Sequence, residues 1–168
     1  MPFALVEVSD NAAMRDVDIR TADIGDVDAL ARIRSAEWGT FPYWQARIRG
    51  YMLGERNPGE ALPPRMVIVA VTGDEGVGFI AGHRTRRHGC EGELQWLDVT
   101  RALRRTGVAT ELLRRLALWF ARNEAKRVCV DVDPGNAPAR AFYTRNGAAP
   151  LNPHWLVWED VTLLSGEG

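Results

Sequence analysis
The chain has 168 residues, of which 46% are hydrophobic and 26% charged, and a formal net charge of −1. That length suits one domain able to bury roughly two thirds of its unfolded surface without staples, and so small a net charge gives no global pull toward nucleic acid or an anionic membrane. Cys90 and Cys129 lack CxxC spacing, no window approaches roughly 18 consecutive apolar residues, and no basic stretch precedes an apolar run at the N-terminus, so a reducing, cytoplasmic setting is expected, with no disulfide framework and no membrane span.

Residues 1–16 read as an extension in which Phe3 to Val8 forms either an extra strand or a frayed tail. Val17-Asp18-Ile19-Arg20 alternates as a half-buried strand does, and Asp23 stands where a helix N-cap would. Ile24, Val27, Leu30, Ala31 and Arg34 follow at helical spacing, closed by Trp38-Gly39. A second helix is expected from Tyr43 to about Glu55, ending at Asn57-Pro58-Gly59, with Pro63-Pro64 as a stop. Met66 to Thr72 and Val77 to Arg84 are strands around the turn-forming Gly73-Asp74-Glu75-Gly76, an antiparallel hairpin. After the turn at His88 to Gly92, residues 93 to 99 add a third strand. A long amphipathic helix spans Gly107 to Asn123 with Val108, Leu112, Leu116, Trp119 and Phe120 on its apolar stripe. Val128 to Val132 is a buried strand, and a right-handed crossover makes it the parallel neighbour of 93–99. Asn136 to Asn146 is a shorter helix stopped by Gly147, Ala148 to Leu151 a brief strand, His154 to Asp160 the last strand, and 162–168 a tail. Residues 17–161 thus form one domain.

If strands 93–99 and 128–132 splay at their carboxyl ends, a slot opens above the helix that starts near Gly107. Arg104, Arg105, Thr106, Gly107, Val108 and Ala109 line its base. Glycine allows the backbone N–H to approach an oxygen, and the helix dipole favours an anion there. Several consecutive donors suit a pyrophosphate better than a single phosphate. The GxGxxG fingerprint of dinucleotide-binding folds is absent.

Arg104-x-x-Gly107-x-Ala109 resembles the Q/R-x-x-G-x-G/A loop of the GCN5-related N-acetyltransferase (GNAT) superfamily. Leu97-x-Val99 before the loop, the Leu-rich helix after it, and Asn136-x-x-Ala139-x-x-Phe142-Tyr143-x-x-x-Gly147 fit the same pattern in register. The resemblance implies an α/β fold of the α+β type: a mixed, mostly antiparallel twisted sheet of six to seven strands, flanked by about four helices and splayed at the parallel pair. It also implies acetyl-CoA as donor in a direct transfer to an amine. Backbone groups around Leu97, Asp98 and Val99 would pair with the pantetheine arm, residues from Arg104 to Thr110 would take the pyrophosphate, and Asn136, Ala139 and Phe142 would contact the cofactor. Tyr143 would be the general acid for the departing thiolate.

An amine is mostly ammonium at pH 7 and must lose a proton before it attacks. Glu93 is the candidate base: it lies on the same strand, and the histone-type members of the family carry a glutamate at a matching offset from the loop. The other reading of Glu93 is a surface carboxylate paired with Arg84 or Arg86. Strict alternation would put Glu93, Gln95, Leu97 and Val99 on one face and Leu94, Trp96 and Asp98 on the other, making Asp98 the weaker base candidate. His83 and His88 lack a third ligand nearby in sequence, so no metal is expected.

In this family the first two helices and the segment before the last strand shape the acceptor pocket. Here they hold Trp38, Phe41, Tyr43, Trp44, Tyr51 and His154-Trp155, an aromatic wall suited to a ring-bearing amine or to cation-π contact, with core packing as the alternative; Trp38, Tyr43, Trp44 and His154 are the acceptor-binding candidates. The segment from Gly147 to His154 departs from the family pattern, being too short for a full hairpin. Three outcomes stay open: a wider cleft, an edge completed by a second subunit in a homodimer, or an added strand from residues 3–8. The expected function is acetyl transfer to a small-molecule amine, without nucleic-acid or membrane partners. A protein or peptide N-acetyltransferase and a non-catalytic acyl-CoA sensor are the alternatives.

Overall fold
The computed structural model describes residues 14 and 16–166. The strand expected at residues 3–8 lies outside the described residues. Seven strands form one mixed sheet in the order β1-β2-β3-β4-β5-β7-β6: β1 Asp18–Thr21, β2 Ala61–Thr72, β3 Glu75–Thr85, β4 Gly92–Val99, β5 Val128–Asp131, β6 Ala149–Pro150 and β7 Trp155–Trp158. Among the described residues four α-helices of more than one turn accompany it: α1 Val27–Ser35, α2 Phe41–Met52, α3 Val108–Arg122 and α4 Ala137–Arg145. This is the α+β architecture expected, with β4 and β5 parallel. By internal packing the chain divides into two compact units, Met1–Asn57 with Val67–Ile80 and Trp96–Leu113, and Pro58–Met66 with Ala81–Gln95 and Arg114–Gly168.

Caps set the helix starts. Asp23 accepts from the Gly25 N–H and Asp26 reaches back to the Asp23 N–H, a capping box over the 3-10 turn Ile24–Asp26 that leads into α1. Thr40 caps α2 through the Tyr43 N–H, with Pro42 in the first turn, so α2 begins two residues before the expected Tyr43. Strand β2 begins at Ala61 and runs through Pro63-Pro64, which sequence alone reads as a stop. Its pairing with β1 covers only Ile68 to Val71, so the prolines, both exposed, take no donor away from that ladder.

In the first unit, Trp96 of β4 is the hub. Its ring lies 4.9 Å from Tyr51 and 6.0 Å from Trp44, both on α2, and 6.5 Å from Phe79 of β3. In the second unit, a Cβ on Gly82 would meet Phe120 at 3.0 Å and one on Gly92 would meet the same ring at 2.5 Å. Two adjacent strands thus omit side chains where the Phe120 ring of α3 lies flat. That ring is 1% exposed, a burial worth roughly 2–3 kcal/mol.

Strand β4 does not keep strict alternation. Phe79, His83 and Thr85 share one face of β3. Glu93 contacts Thr85 and His83, and Trp96 meets Phe79, so an odd and an even residue of β4 occupy that same face. The backbone agrees: the Thr85 N–H bonds the Glu91 carbonyl and the Thr100 N–H the Val77 carbonyl, two registers that differ by one residue. One extra residue between Glu93 and Trp96, a β-bulge, accounts for both. The expected assignment of faces is therefore corrected. Val99 lies beside Gly78 and Leu112.

Gly92→Ala is expected to cost about 1–3 kcal/mol through overpacking against Phe120, seen as a lower urea midpoint at unchanged slope. Adding Phe120→Leu should recover part of that loss. A Gly92→Ala variant as stable as the parent would show that the ring is not held by the glycine slot.

Candidate functional site
The ladder between β4 and β5 covers three positions, Gly92↔Val128, Glu93↔Cys129 and Leu94↔Val130, and ends there. Strand β4 continues to Val99 without β5 but beside β3, and the Thr100 N–H closes it onto the Val77 carbonyl at 2.9 Å. A 3-10 turn over Arg101–Leu103 follows.

The basic turn is assembled by its own side chains. Arg104 donates from Nε to the Val99 carbonyl at 3.0 Å and from Nη2 to Glu37 Oε1 at 3.0 Å, and Arg101 donates to the same Glu37 oxygen at 3.1 Å. Those two bonds, Arg101's the stronger, hold the Glu37 carboxyl below the usual carboxylate range. Arg104 therefore braces the turn, while Arg105 is exposed at φ 63° and the Thr106 hydroxyl donates to the Leu103 carbonyl. Gly107 has φ 96°, and among the described residues a Cβ there would meet only Met14, at 3.9 Å. The first helical bond of α3 runs from the Glu111 N–H to the Gly107 carbonyl at 3.0 Å. The N–H groups of Val108, Ala109 and Thr110 precede that bond and have no acceptor within the helix. A left-handed turn followed by free donors at the positive end of a helix of 15 residues fits a pyrophosphate.

Leu97 and Asp98 are half-buried. Asp98 Oδ2 accepts from Arg34 Nη1 at 2.8 Å, yet burial outweighs that ion pair and pushes its carboxyl up.

In the second unit Glu93 is 4% exposed. It accepts from Arg87 Nε at 3.1 Å and from the Thr85 hydroxyl at 3.4 Å, and His83 Nε2 lies 3.6 Å away. The ion-pair partner is Arg87, neither of the arginines named from sequence. Arg87 opens the 3-10 turn Arg87–Gly89, in which His88 takes φ 54°, and the Arg87 N–H donates to the Thr85 hydroxyl at 3.1 Å. The Arg87 guanidinium bonds the Gly59 carbonyl and sits 5.0 Å over the Trp155 ring.

Asn136 caps α4, its side chain accepting from the Ala139 N–H at 3.3 Å. Phe142 is half-buried and Tyr143 buried, the Tyr143 ring standing edge-on to Trp158 at 5.6 Å. His154 is exposed, and its N–H is held by Asn152.

Of the aromatic wall, Trp38 and Tyr43 are exposed and Trp44 is half-buried. Two residues absent from the sequence reading of this wall are arginines: Arg34 lies 4.7 Å over Trp44 and 5.8 Å over Trp38, and Arg47 lies 5.5 Å over Trp96. Helical spacing placed Arg34 on α1, but nothing local in sequence shows which ring a guanidinium will cover.

Among the described residues no helix is long and apolar enough to cross a membrane, and no group of three or more His, Cys, Asp or Glu side chains is placed to hold a metal ion.

Residues 28–148 match the model of the acetyltransferase (GNAT) family. Curated protein sequences gave no significant match. Solved structures share the fold at low identity. An acetyltransferase of the GNAT family from Desulfovibrio desulfuricans superposes with a TM-score of 0.69 at 15% identity, over 86% of this chain and 99% of its own. Aminoglycoside 6'-acetyltransferase type Ii gives 0.64 at 20%, over 86% and 97%. The NatC complex bound to Gag peptide and CoA gives 0.60 at 15%, over 84% and 94%.

Arg87→Met leaves the Glu93 carboxylate buried beside His83 without its cation, and is expected to destabilise by about 1–3 kcal/mol, reduced from the fully buried case because Arg87 is partly exposed. Arg87→Met with Glu93→Gln should regain most of this. Urea unfolding of the two single variants and the double variant measures the coupling; strictly additive losses would mean that the pair does not interact.

Proposed function
We propose, from the premise that the chain belongs to the GNAT acetyltransferase family, that it transfers an acetyl group from acetyl-CoA directly to the primary amine of a small molecule. The observation that carries this reading is the turn at Arg105 to Gly107 with the free N–H groups of residues 108–110. It supplies donors in a row beside a glycine at positive φ. Acetyl-CoA supplies the activated thioester and a thiolate leaving group. Loop residues from Arg105 to Thr110 hold its pyrophosphate. The backbone of Leu97 to Val99, past the end of the β4–β5 ladder, pairs with the extended arm and polarises the acyl carbonyl. Asn136, Ala139 and Phe142 contact the cofactor from α4.

Glu93 takes the proton from the acceptor ammonium, directly or through water. The neutral amine forms the new C–N bond as the C–S bond breaks, and the Tyr143 hydroxyl donates a proton to the departing sulfur. Thiolates leave readily, so the acid contributes less than the base. The small-molecule reading is supported by the aromatic side chains on and before α2, which suit a compact ring-bearing acceptor.

In a thermal shift assay acetyl-CoA should stabilise the protein, by about 2.7 kcal/mol at roughly a hundredfold excess over Kd, and Gly107→Val should abolish the shift. In a CoA-release assay Glu93→Gln should lower kcat at pH 7 by about 100-fold and recover as pH rises, because the amine then deprotonates unaided. Tyr143→Phe should cost about tenfold or less. Acetyl-CoA binding without transfer to any amine, unaltered by either substitution, would favour the sensor reading. Turnover of peptides alone would favour the peptide N-acetyltransferase.

A further inference from the structure
The charges around the aromatic wall do not balance. Arg34 is committed: its Nη1 bonds Asp98 at 2.8 Å and its plane covers Trp44. Arg47, on α2, is half-buried, with its guanidinium 5.5 Å over the Trp96 ring, and among the described residues it makes no hydrogen bond or ion pair. Trp96 itself is 5% exposed and hemmed in by Trp44 and Tyr51. Two guanidinium groups thus share the patch with one carboxylate. A partly desolvated cation with five donors and no acceptor is a mismatch that an anion resolves, and a planar guanidinium best matches a carboxylate. The same arrangement opposes a polycation, because the faces of Trp44 and Trp96 are already taken by cations.

We infer that Arg47 is an acceptor-side anion subsite, and that the amine acetylated here carries a carboxylate, as an amino acid does. This rests on the reading of the chain as an amine acetyltransferase. Trp38 and Tyr43, exposed beside Trp44, provide apolar surface for the rest of such an acceptor.

The test compares amino acids with their decarboxylated amines and with polyamines in the CoA-release assay. Amino acids are expected to show kcat/KM at least about tenfold higher than the matching amines. Arg47→Gln should raise their KM about 10- to 100-fold while leaving the KM of acetyl-CoA and of the decarboxylated amines unchanged. Arg47→Lys should retain part of the preference, and Arg49→Gln, on the same helix but exposed, should change nothing. A second arm follows tryptophan fluorescence on titration with 3-phenylpropanoate, which carries the carboxylate but no amine. Saturable quenching that Arg47→Gln removes is the expected result. Equal losses for amino acids and amines, a preference for polyamines, or no saturation in a protein that acetyl-CoA still stabilises would overturn the anion subsite alone. Absence of any acetyl-CoA stabilisation would overturn the underlying reading as well.

Discussion
The one-residue slip in β4 is the constraint on which the rest of the site depends. A strand of uninterrupted period two would put Glu93 and Trp96 on opposite faces of the sheet. The extra residue lets Glu93 join His83, Thr85 and Arg87, while Trp96 joins Phe79, Tyr51 and Trp44 on the same face. It also frees the carboxyl half of the strand from the β5 ladder, which ends at Leu94↔Val130. Backbone hydrogen-bonding capacity left over beyond that point is what an extended ligand can use. Bulges recur beside functional sites because one inserted residue re-aims every side chain after it.

Much of this was legible in the residues. The turn chemistry at residues 73–76, the apolar stripe of α3 and the handedness of the crossover were enough to order the central strands and identify the parallel pair. The turn into α3 was legible because its requirement is local: a glycine at positive φ immediately before a helix. The bulge was not. Leu94-Gln95-Trp96 contains no glycine, proline or turn former, and a period-two pattern has no mark for an inserted residue. The extension of β2 through Pro63-Pro64 was hidden for a related reason, since whether a proline breaks a strand depends on which neighbour needs its donor, and that is a property of the sheet.

Charged partnerships were the least legible part. An arginine partner for Glu93 was only the other reading of that residue, with Arg84 or Arg86 at the surface; the partner is Arg87 and the carboxylate is buried. Arg34 and Arg47 reach the aromatic wall only because two helices bring them there. Glu37 carried no signal at all, as an acidic residue just past the end of α1 and far along the chain from the loop it braces.

That brace bears on how the loop would respond to salt. Glu37 offsets one of the two charges of Arg101 and Arg104, so one of those charges and the exposed Arg105 remain beside the fixed dipoles of Gly107 to Thr110. Mobile ions screen net charge over about 10 Å at 0.1 M ionic strength, but they do little to a hydrogen bond made at contact. An anion held at this turn would lose the screened, long-range part of its attraction to the remaining arginine charge as ionic strength rises, and would keep the part made at contact.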